Sequence, residues 1–350
     1  MSRRTLTAIH KWLGLTLGLL IALQALTGAV LQFRDDLVRL ASPAPPAAEV
    51  SALVDRAPPG SHVKRIDFDH GGRPALVHVQ APHGLEFHVP VPGAASGEVA
   101  LAESGTAMLM HWVFRVHHDL LFGTVGRWVN GLLAGALLIT TIIGVVLWWP
   151  GRGRLAKGLK VKWTAPPVRR WFDVHKITGL GFSVLLLATA ATGVGLAYVQ
   201  EMRAAMVPPI PAVAVAGRVA GDALPVDRLV SKAGAEAPGL NRRDIRFLGA
   251  TGLPYRFLFH AGDAASTAPP VQIVMDPFSG AVLWRSDTAD RPAVATVLDW
   301  LYPIHTQFAV GPLGRWLSAV MGVALVVLAV AGFLLWLARR RIRKKPSVRI

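Results

Sequence analysis

The sequence predicts an α-helical integral membrane protein: four transmembrane helices arranged as a two-fold internal repeat, with two small α+β modules on the outer side. Three observations carry that prediction. Four segments, residues 12–33, 129–149, 177–199 and 316–337, are nearly free of charge; each holds about 20 residues, enough at about 1.5 Å per residue to cross a hydrocarbon core of about 30 Å. The chain also repeats itself. Shifted by 188 positions, Trp112, His117, Gly123, Gly126, Arg127, Trp128, Gly144 and Trp148 fall on Trp300, His305, Gly311, Gly314, Arg315, Trp316, Gly332 and Trp336. Shifted by 165, His10, Lys11, Gly14, Leu15, Thr27 and Gly28 fall on His175, Lys176, Gly179, Leu180, Thr192 and Gly193.

The third observation is where the charge lies. The chain has 350 residues and a net charge of +16, a balance that on its own would suggest nucleic acid. Yet residues 1–11 hold three Lys/Arg, 150–172 hold seven and 338–350 hold seven, with no Asp or Glu among them, and the remaining residues carry 20 basic against 21 acidic side chains. This is a topology signal: the three basic segments face the cytoplasm, both termini with them. No nucleic-acid partner follows from it. The bilayer is the partner the basicity implies.

The elements follow in order. Residues 1–33 form the first helix, long for a signal h-region and without a clear cleavage site, so it is expected to stay as an anchor. Residues 34–110 form the first outer module, with a short helix over 49–56 and strands over 63–69, 75–80 and 85–89 around the turn His70-Gly71-Gly72-Arg73-Pro74. Residues 111–150 hold a histidine segment and the second span, 151–175 a basic linker too short for a domain, and 176–199 the third span. Residues 200–298 repeat the module plan, with a helix over 225–235 and strands over 244–248, 255–260 and 272–275. Residues 299–337 repeat the histidine segment and span, and 338–350 form a basic tail.

The chemistry is expected at four of the twelve histidines. His10 and His175 open the first helix of each half on one side of the membrane; His117 and His305 precede the second helix of each half on the other. Each pair can therefore meet, giving two sites, one near each surface. A single histidine at a helix end is more often a polar interfacial side chain, but paired histidines in repeated positions change that reading. Two imidazoles without a nearby thiolate or carboxylate suit a metal already held by four in-plane nitrogens, as in haem, whereas zinc takes three or four protein ligands. The chain has no Cys, which excludes thioether-attached haem and Cys-ligated iron–sulfur clusters; the expected cofactors are haem b, one for each pair. Gly14 and Gly179, one turn after their histidines, would let a flat ring lie against backbone. Lys11, Lys176, Arg127 and Arg315 could meet propionates, or could equally snorkel as interfacial anchors. His111 and His118 share a face with one another, but their repeat counterparts are Asp299 and Thr306, so His117 is preferred. No catalytic acid–base residue is assigned, and no dinucleotide or Walker motif is present.

The residues that resemble a known family are His10-Lys11-x-x-Gly14, Val116-His117-His118-Asp119-Leu120-Leu121 with Gly126-Arg127-Trp128, Trp148-Trp149-Pro150, His175-Lys176-x-x-Gly179, and Asp276-Pro277-Phe278-Ser279-Gly280-Ala281-Val282-Leu283. They resemble the PepSY-associated transmembrane proteins over essentially the whole chain. The resemblance implies PepSY-like periplasmic modules, a place in the bacterial inner membrane, and a role in iron uptake as a haem protein that reduces ferric siderophores. Electrons would come from a quinol or a cytoplasmic flavoprotein. Two alternatives stand beside it: the haem-bearing membrane subunit of a larger oxidoreductase, and a membrane-anchored PepSY binding or regulatory protein with no redox activity.

Overall fold

The computed structural model describes residues 1–41, 50, 54, 60–68, 74–80, 86–90, 105–149, 160–208, 223–247, 254–260, 270–286, 291–311 and 313–343. The helices in chain order are α1 (Arg3–Leu31), α2 (Arg34–Ala41), α3 (Gly105–Asp119), α4 (Gly123–Trp148), α5 (Pro167–Gly181), α6 (Ser183–Ala197), α7 (Val199–Met206), α8 (Val226–Ala235), α9 (Ala293–His305) and α10 (Leu313–Arg343). The strands are β1 (His62–Phe68), β2 (Pro74–Gln80), β3 (Glu86–Pro90), β4 (Asn241–Phe247), β5 (Tyr255–His260), β6 (Val271–Met275) and β7 (Val282–Ser286). Two compact units result: a helical one from residues 1–32, 113–201 and 301–350, and a second one from residues 33–112 and 202–300.

In the helical unit, α1, α4 and α10 are each long and apolar enough to cross a membrane. The fourth expected span, over 177–199, is not one straight helix. Helices α5 and α6 pass the same test only together, and they meet at 65°. The break falls at Phe182, after Gly179 and Gly181, and the Ser183 hydroxyl donates to the Leu180 carbonyl at 2.8 Å; paired small residues with a back-bonded serine are a standard cause of a kink. Helix α1 packs on α10 and α4, α4 on α6, and α5 on α10. Leu186, Met321, Leu325 and Leu328 form the buried centre of this bundle. Small residues let the backbones close up: a Cβ at Gly322 of α10 would lie 2.7 Å from the Ala25 carbonyl oxygen of α1.

Both Gly-Arg-Trp triplets sit just inside the start of a long helix, and the reason for the glycine is steric. Between α3 and α4 the chain reverses through Leu120 and Leu121 at φ 51° and 68°, then Gly123 at 59°. Asp119 supports the reversal by accepting the Leu121 N–H at 2.9 Å and both of its oxygens hold Arg115 Nε, at 2.8 and 3.1 Å. This folds the Asp119 carbonyl back on α4, where a Cβ at Gly126 would overlap it at 1.7 Å. In the second half Gln307 at φ 58° makes the corresponding reversal, and a Cβ at Gly314 would meet the Gln307 carbonyl at 1.8 Å.

In the other unit, the strands from residues 62–90 and 241–286 join in one antiparallel sheet of order β3-β2-β1-β4-β5-β6-β7, where the sequence leads one to expect a small sheet in each segment. The join is β1 with β4, in the register Arg65↔Arg246, Ile66↔Ile245 and Asp67↔Asp244. Ile66 and Ile245 occupy equivalent places in the two segments, each seven and six residues after its Pro-Gly, so the pairing is pseudo-two-fold. Alternation along the strands then fixes the faces. Ile66, Val77, Val79, Ile245, Phe257, Phe259, Ile273 and Met275 turn to one side and are buried with Leu229, Val230 and Ala233 of α8; full burial of a large aliphatic side chain contributes about 1.5–3 kcal/mol. Asp67 lies on the other side, paired with Arg65 at 2.7 Å and His78 at 2.7 Å, while Asp244 pairs with Arg246 at 2.8 Å.

The motif at 276–283 forms the β6–β7 hairpin. Asp276 closes it by accepting the Phe278 N–H at 2.8 Å, and Gly280 takes φ 67°. Strand β7 is an addition to the expected set. The helix expected over 49–56 lies outside the described residues apart from Val50 and Val54, as do His70, His83, residues 151–159 of the linker and residues 344–350 of the tail.

Candidate metal-cofactor site

Four histidines come together as two pairs, both within the helical unit. His10 of α1 and His175 of α5 have ring centroids 6.0 Å apart; His117 of α3 and His305 of α9 have centroids 6.4 Å apart. Each ring is held in the same way. Nδ1 of His10 bonds to the Thr140 carbonyl at 3.0 Å, that of His175 to Leu328 at 3.0 Å, that of His117 to Gln24 at 2.9 Å and that of His305 to Thr189 at 3.0 Å. A carbonyl oxygen can only accept, so Nδ1 carries the proton in all four rings. Each Nε2 then keeps its lone pair, and among the described residues none of these four nitrogens has a hydrogen-bond partner. This is the tautomer of a metal-ligating imidazole whose far nitrogen is oriented by backbone.

The carbonyls explain four glycines. In an α-helix the oxygen of residue i points towards the N–H of residue i+4, so a ring that reaches that oxygen passes over the Cβ of residue i+4. Four residues after Thr140, Leu328, Gln24 and Thr189 stand Gly144, Gly332, Gly28 and Gly193. A Cβ there would lie 3.1 Å from His10, 3.4 Å from His175, 2.8 Å from His117 and 3.2 Å from His305, in every case from Cε1. The acceptor positions obey the same shifts as the histidines, 188 for Thr140 and Leu328 and 165 for Gln24 and Thr189. Gly14 and Gly179 do not touch the imidazoles: the space beside Gly14 is open, and Gly179 faces Leu328 at 3.4 Å.

Further bonds fix the His117–His305 pair. Asn130 of α4 donates to the His117 carbonyl at 2.6 Å, and Gln24 donates to Val116 at 3.0 Å. Gln307 donates to the Thr189 hydroxyl at 2.7 Å and the His305 carbonyl at 3.2 Å. Burial, and then the nearby His305, hold His117 down to about 4, and burial also lowers His305; both rings therefore stay neutral near pH 7. His118 instead stacks on Phe114 at 5.1 Å, and buried His111 sets its edge against Trp112 at 5.7 Å. Neither forms the pair with His305.

The four basic side chains expected to meet propionates have their own neighbours. Lys176 bonds to Asp173 at 3.0 Å, and Asp173 is completely buried. Arg127 makes a two-pronged pair with Glu201, at 2.6 and 3.0 Å, and also donates to the Ala197 carbonyl. Trp128 donates to the same carboxylate at 3.0 Å, and these bonds, Arg127 first, hold Glu201 down to about 2. Lys11 lies over Trp12 at 4.6 Å and Arg315 over Trp316 at 5.7 Å.

Among the described residues there is no group of three or more His, Asp or Glu that could hold a metal ion by itself. The pairs fit a group that brings most of its own donors and needs two imidazoles. With a metal–nitrogen bond of about 2 Å and about 1 Å from nitrogen to ring centre, two imidazoles on opposite faces of one metal have centroids about 6 Å apart. The observed separations are 6.0 and 6.4 Å.

A family profile described as the PepSY-associated TM region matches residues 7–339. The chain belongs to the PepSY-associated transmembrane family. It is thus a membrane protein of the PepSY-associated group, mainly helical, with three candidate spans, a bent helix pair and an antiparallel sheet among the described residues. No curated protein matches it. For this PepSY-associated protein, the sequence singled out the four histidines and, as repeated positions, all four contacting glycines. It missed the carbonyls of Thr140, Leu328, Gln24 and Thr189, because a backbone oxygen has no residue signature.

Proposed function

We propose that the chain is an inner-membrane electron-transfer protein that binds two haems b, one between His10 and His175 and one between His117 and His305, and reduces ferric siderophores or a similar ferric chelate outside the membrane. The observation that carries this reading is the fourfold arrangement just described: an Nδ1–H on a backbone carbonyl, a glycine under Cε1, and an Nε2 with its lone pair unused. A structural histidine has no need of this repetition.

Bound haem supplies a reversible one-electron couple. The chain's own contribution is orientation: the carbonyls choose the tautomer, the glycines set the depth of each ring, and the Asn130 and Gln307 bonds fix the segments that carry His117 and His305. Helix α1 bears His10 and, through Gln24 and Gly28, the support of His117, so one element holds both pairs in register. One electron converts Fe(III) of the chelate to Fe(II), an ion bound less strongly by hard oxygen donors, and no acid–base residue is required. The electron comes from a quinol or a cytoplasmic flavoprotein. The basic segments support an orientation with both termini in the cytoplasm, which puts His117 and His305 on the periplasmic side.

The test is anaerobic. Protein reduced with dithionite and freed of excess reductant is mixed with a ferric siderophore in the presence of a ferrous-specific chelator. Reoxidation of the haem bands with matching Fe(II) release is the expected result. Haem bands that remain reduced with every ferric chelate tried would overturn the reductase reading.

A further inference from the structure

The two pairs differ in one respect that repeats across the halves. Nδ1 of His117 is 3.2 Å from the Thr27 hydroxyl as well as 2.9 Å from the Gln24 carbonyl. Nδ1 of His305 is 3.2 Å from the Thr192 hydroxyl as well as 3.0 Å from the Thr189 carbonyl. Thr27 and Thr192 are themselves related by the 165-residue shift. Among the described residues, Nδ1 of His10 and of His175 has the carbonyl alone.

The direction of these extra bonds can be deduced. The Thr27 hydroxyl donates its one hydrogen to the α1 backbone, with Leu23 at 2.8 Å and Gln24 at 3.0 Å. The Thr192 hydroxyl does the same towards Ala188 at 2.7 Å and Thr189 at 3.1 Å. Both oxygens therefore turn lone pairs to Nδ1–H, and each outer imidazole donates to two acceptors at once. Both threonines are buried, so water does not compete for the bond.

We infer that Thr27 and Thr192 are positioning residues that act through His117 and His305 to lower the reduction potential of the outer centre. This rests on the haem reading above. A second acceptor draws the Nδ1 proton further from the ring and makes Nε2 a stronger base. A more basic ligand favours the ferric over the ferrous state, so the outer centre gives up its electron more readily than with carbonyl bonds alone. Ferric chelates of hard oxygen ligands are difficult to reduce, which makes such an adjustment useful at the centre that faces them.

The experiment is a potentiometric titration of the full-length haem-loaded protein, with the electron paramagnetic resonance of the ferric form recorded alongside. It compares wild type with Thr27→Val, Thr192→Val, the double variant and Thr27→Ser. The expected result is an upward shift of the outer midpoint in each outer Val variant, larger in the double variant, with changed ferric g-values for that centre. Thr27→Ser should restore the wild-type midpoint, and the inner midpoint should stay in place in every variant. Outer midpoints that stay fixed in the Val variants overturn the inference, as does loss of the outer haem from Thr27→Val, because the hydroxyl would then be holding the ring in place. A wild-type protein that takes up no haem removes the haem reading itself, and that result is separate from a loaded protein whose potentials ignore the threonines.

Discussion

Gly28→Ala and Gly332→Ala are the same substitution at the two ends of a graded series of contacts, and they should have opposite consequences. At Gly28 the new Cβ would lie 2.8 Å from His117 Cε1, and at Gly332 it would lie 3.4 Å from His175 Cε1. Carbon atoms in good contact are about 3.5–4.0 Å apart, so His175 barely has to move, while His117 must retreat by at least about 0.7 Å. That retreat carries Nδ1 from 2.9 Å towards the limit of a hydrogen bond to Gln24. The cost combines overpacking of about 1–3 kcal/mol with most of a hydrogen bond of about 1 kcal/mol, and the better helix propensity of alanine offsets about 1 kcal/mol. The net, about 1–3 kcal/mol, weakens haem binding at the outer pair by about 5- to 150-fold. Gly332→Ala keeps the propensity gain and leaves the inner haem in place. The assay is haem content per chain after challenge with an apoprotein haem acceptor. Equal haem loss from the two variants, or full retention by Gly28→Ala, would refute the idea that glycine contact sets the depth of the rings.

Three further predictions follow from particular contacts. Gly126→Ala should prevent recovery of folded protein, since its Cβ overlaps the Asp119 carbonyl at 1.7 Å; gel filtration of detergent-extracted protein reads this, and a monodisperse wild-type-like peak would contradict it. Asp67→Asn should weaken the sheet unit by about 1.5–3 kcal/mol at pH 7, the range for hydrogen bonds to a charged group. Burial opposes ionisation of Asp67, but the His78 bond and the Arg65 and His78 charges outweigh it and hold the carboxyl well below its ordinary value. Its contribution is therefore complete above about pH 4, the unfolded value, and lost as pH falls below that. The urea midpoint of β1 and β4, read by hydrogen exchange with a fixed pulse pH, should drop with acid in wild type and vary less in Asp67→Asn. Glu201→Gln removes the charge that engages Arg127 and Trp128; the α4–α6 contact should loosen, seen as faster exchange near Ala197, and unchanged exchange there would count against the pair as a clamp.

Much of this protein was legible in its sequence because its repeat acts as an internal comparison. His10 and His175, or His117 and His305, are conspicuous only as pairs, and Gly28, Gly144, Gly193 and Gly332 stood out by their recurrence before any contact gave them a purpose. The module strands followed from alternation, since Ile66 and Phe68 on one face leave Asp67 on the other. Three things were not legible. The sheet is continuous through Ile66 and Ile245 because two unpaired strand edges satisfy each other, and no local pattern encodes which edges will meet. The kink at Phe182 arises from backbone bonding around Gly181 and Ser183 inside a run whose apolar content alone reads as one helix. The carbonyl that receives each histidine depends on helix packing, so the purpose of Gly144 was hidden until Thr140 and His10 were seen together.

The most direct test of the central claim is the visible spectrum of detergent-purified protein before and after dithionite, with haem content per chain, for wild type, His10→Ala and His117→Ala. Sharp reduced α and Soret bands with about two haems per chain, and about one lost in each variant, is the result expected of two bis-histidine centres. Well-folded wild-type protein that contains no haem when grown with ample supply would contradict the claim and leave the four imidazoles as structural groups.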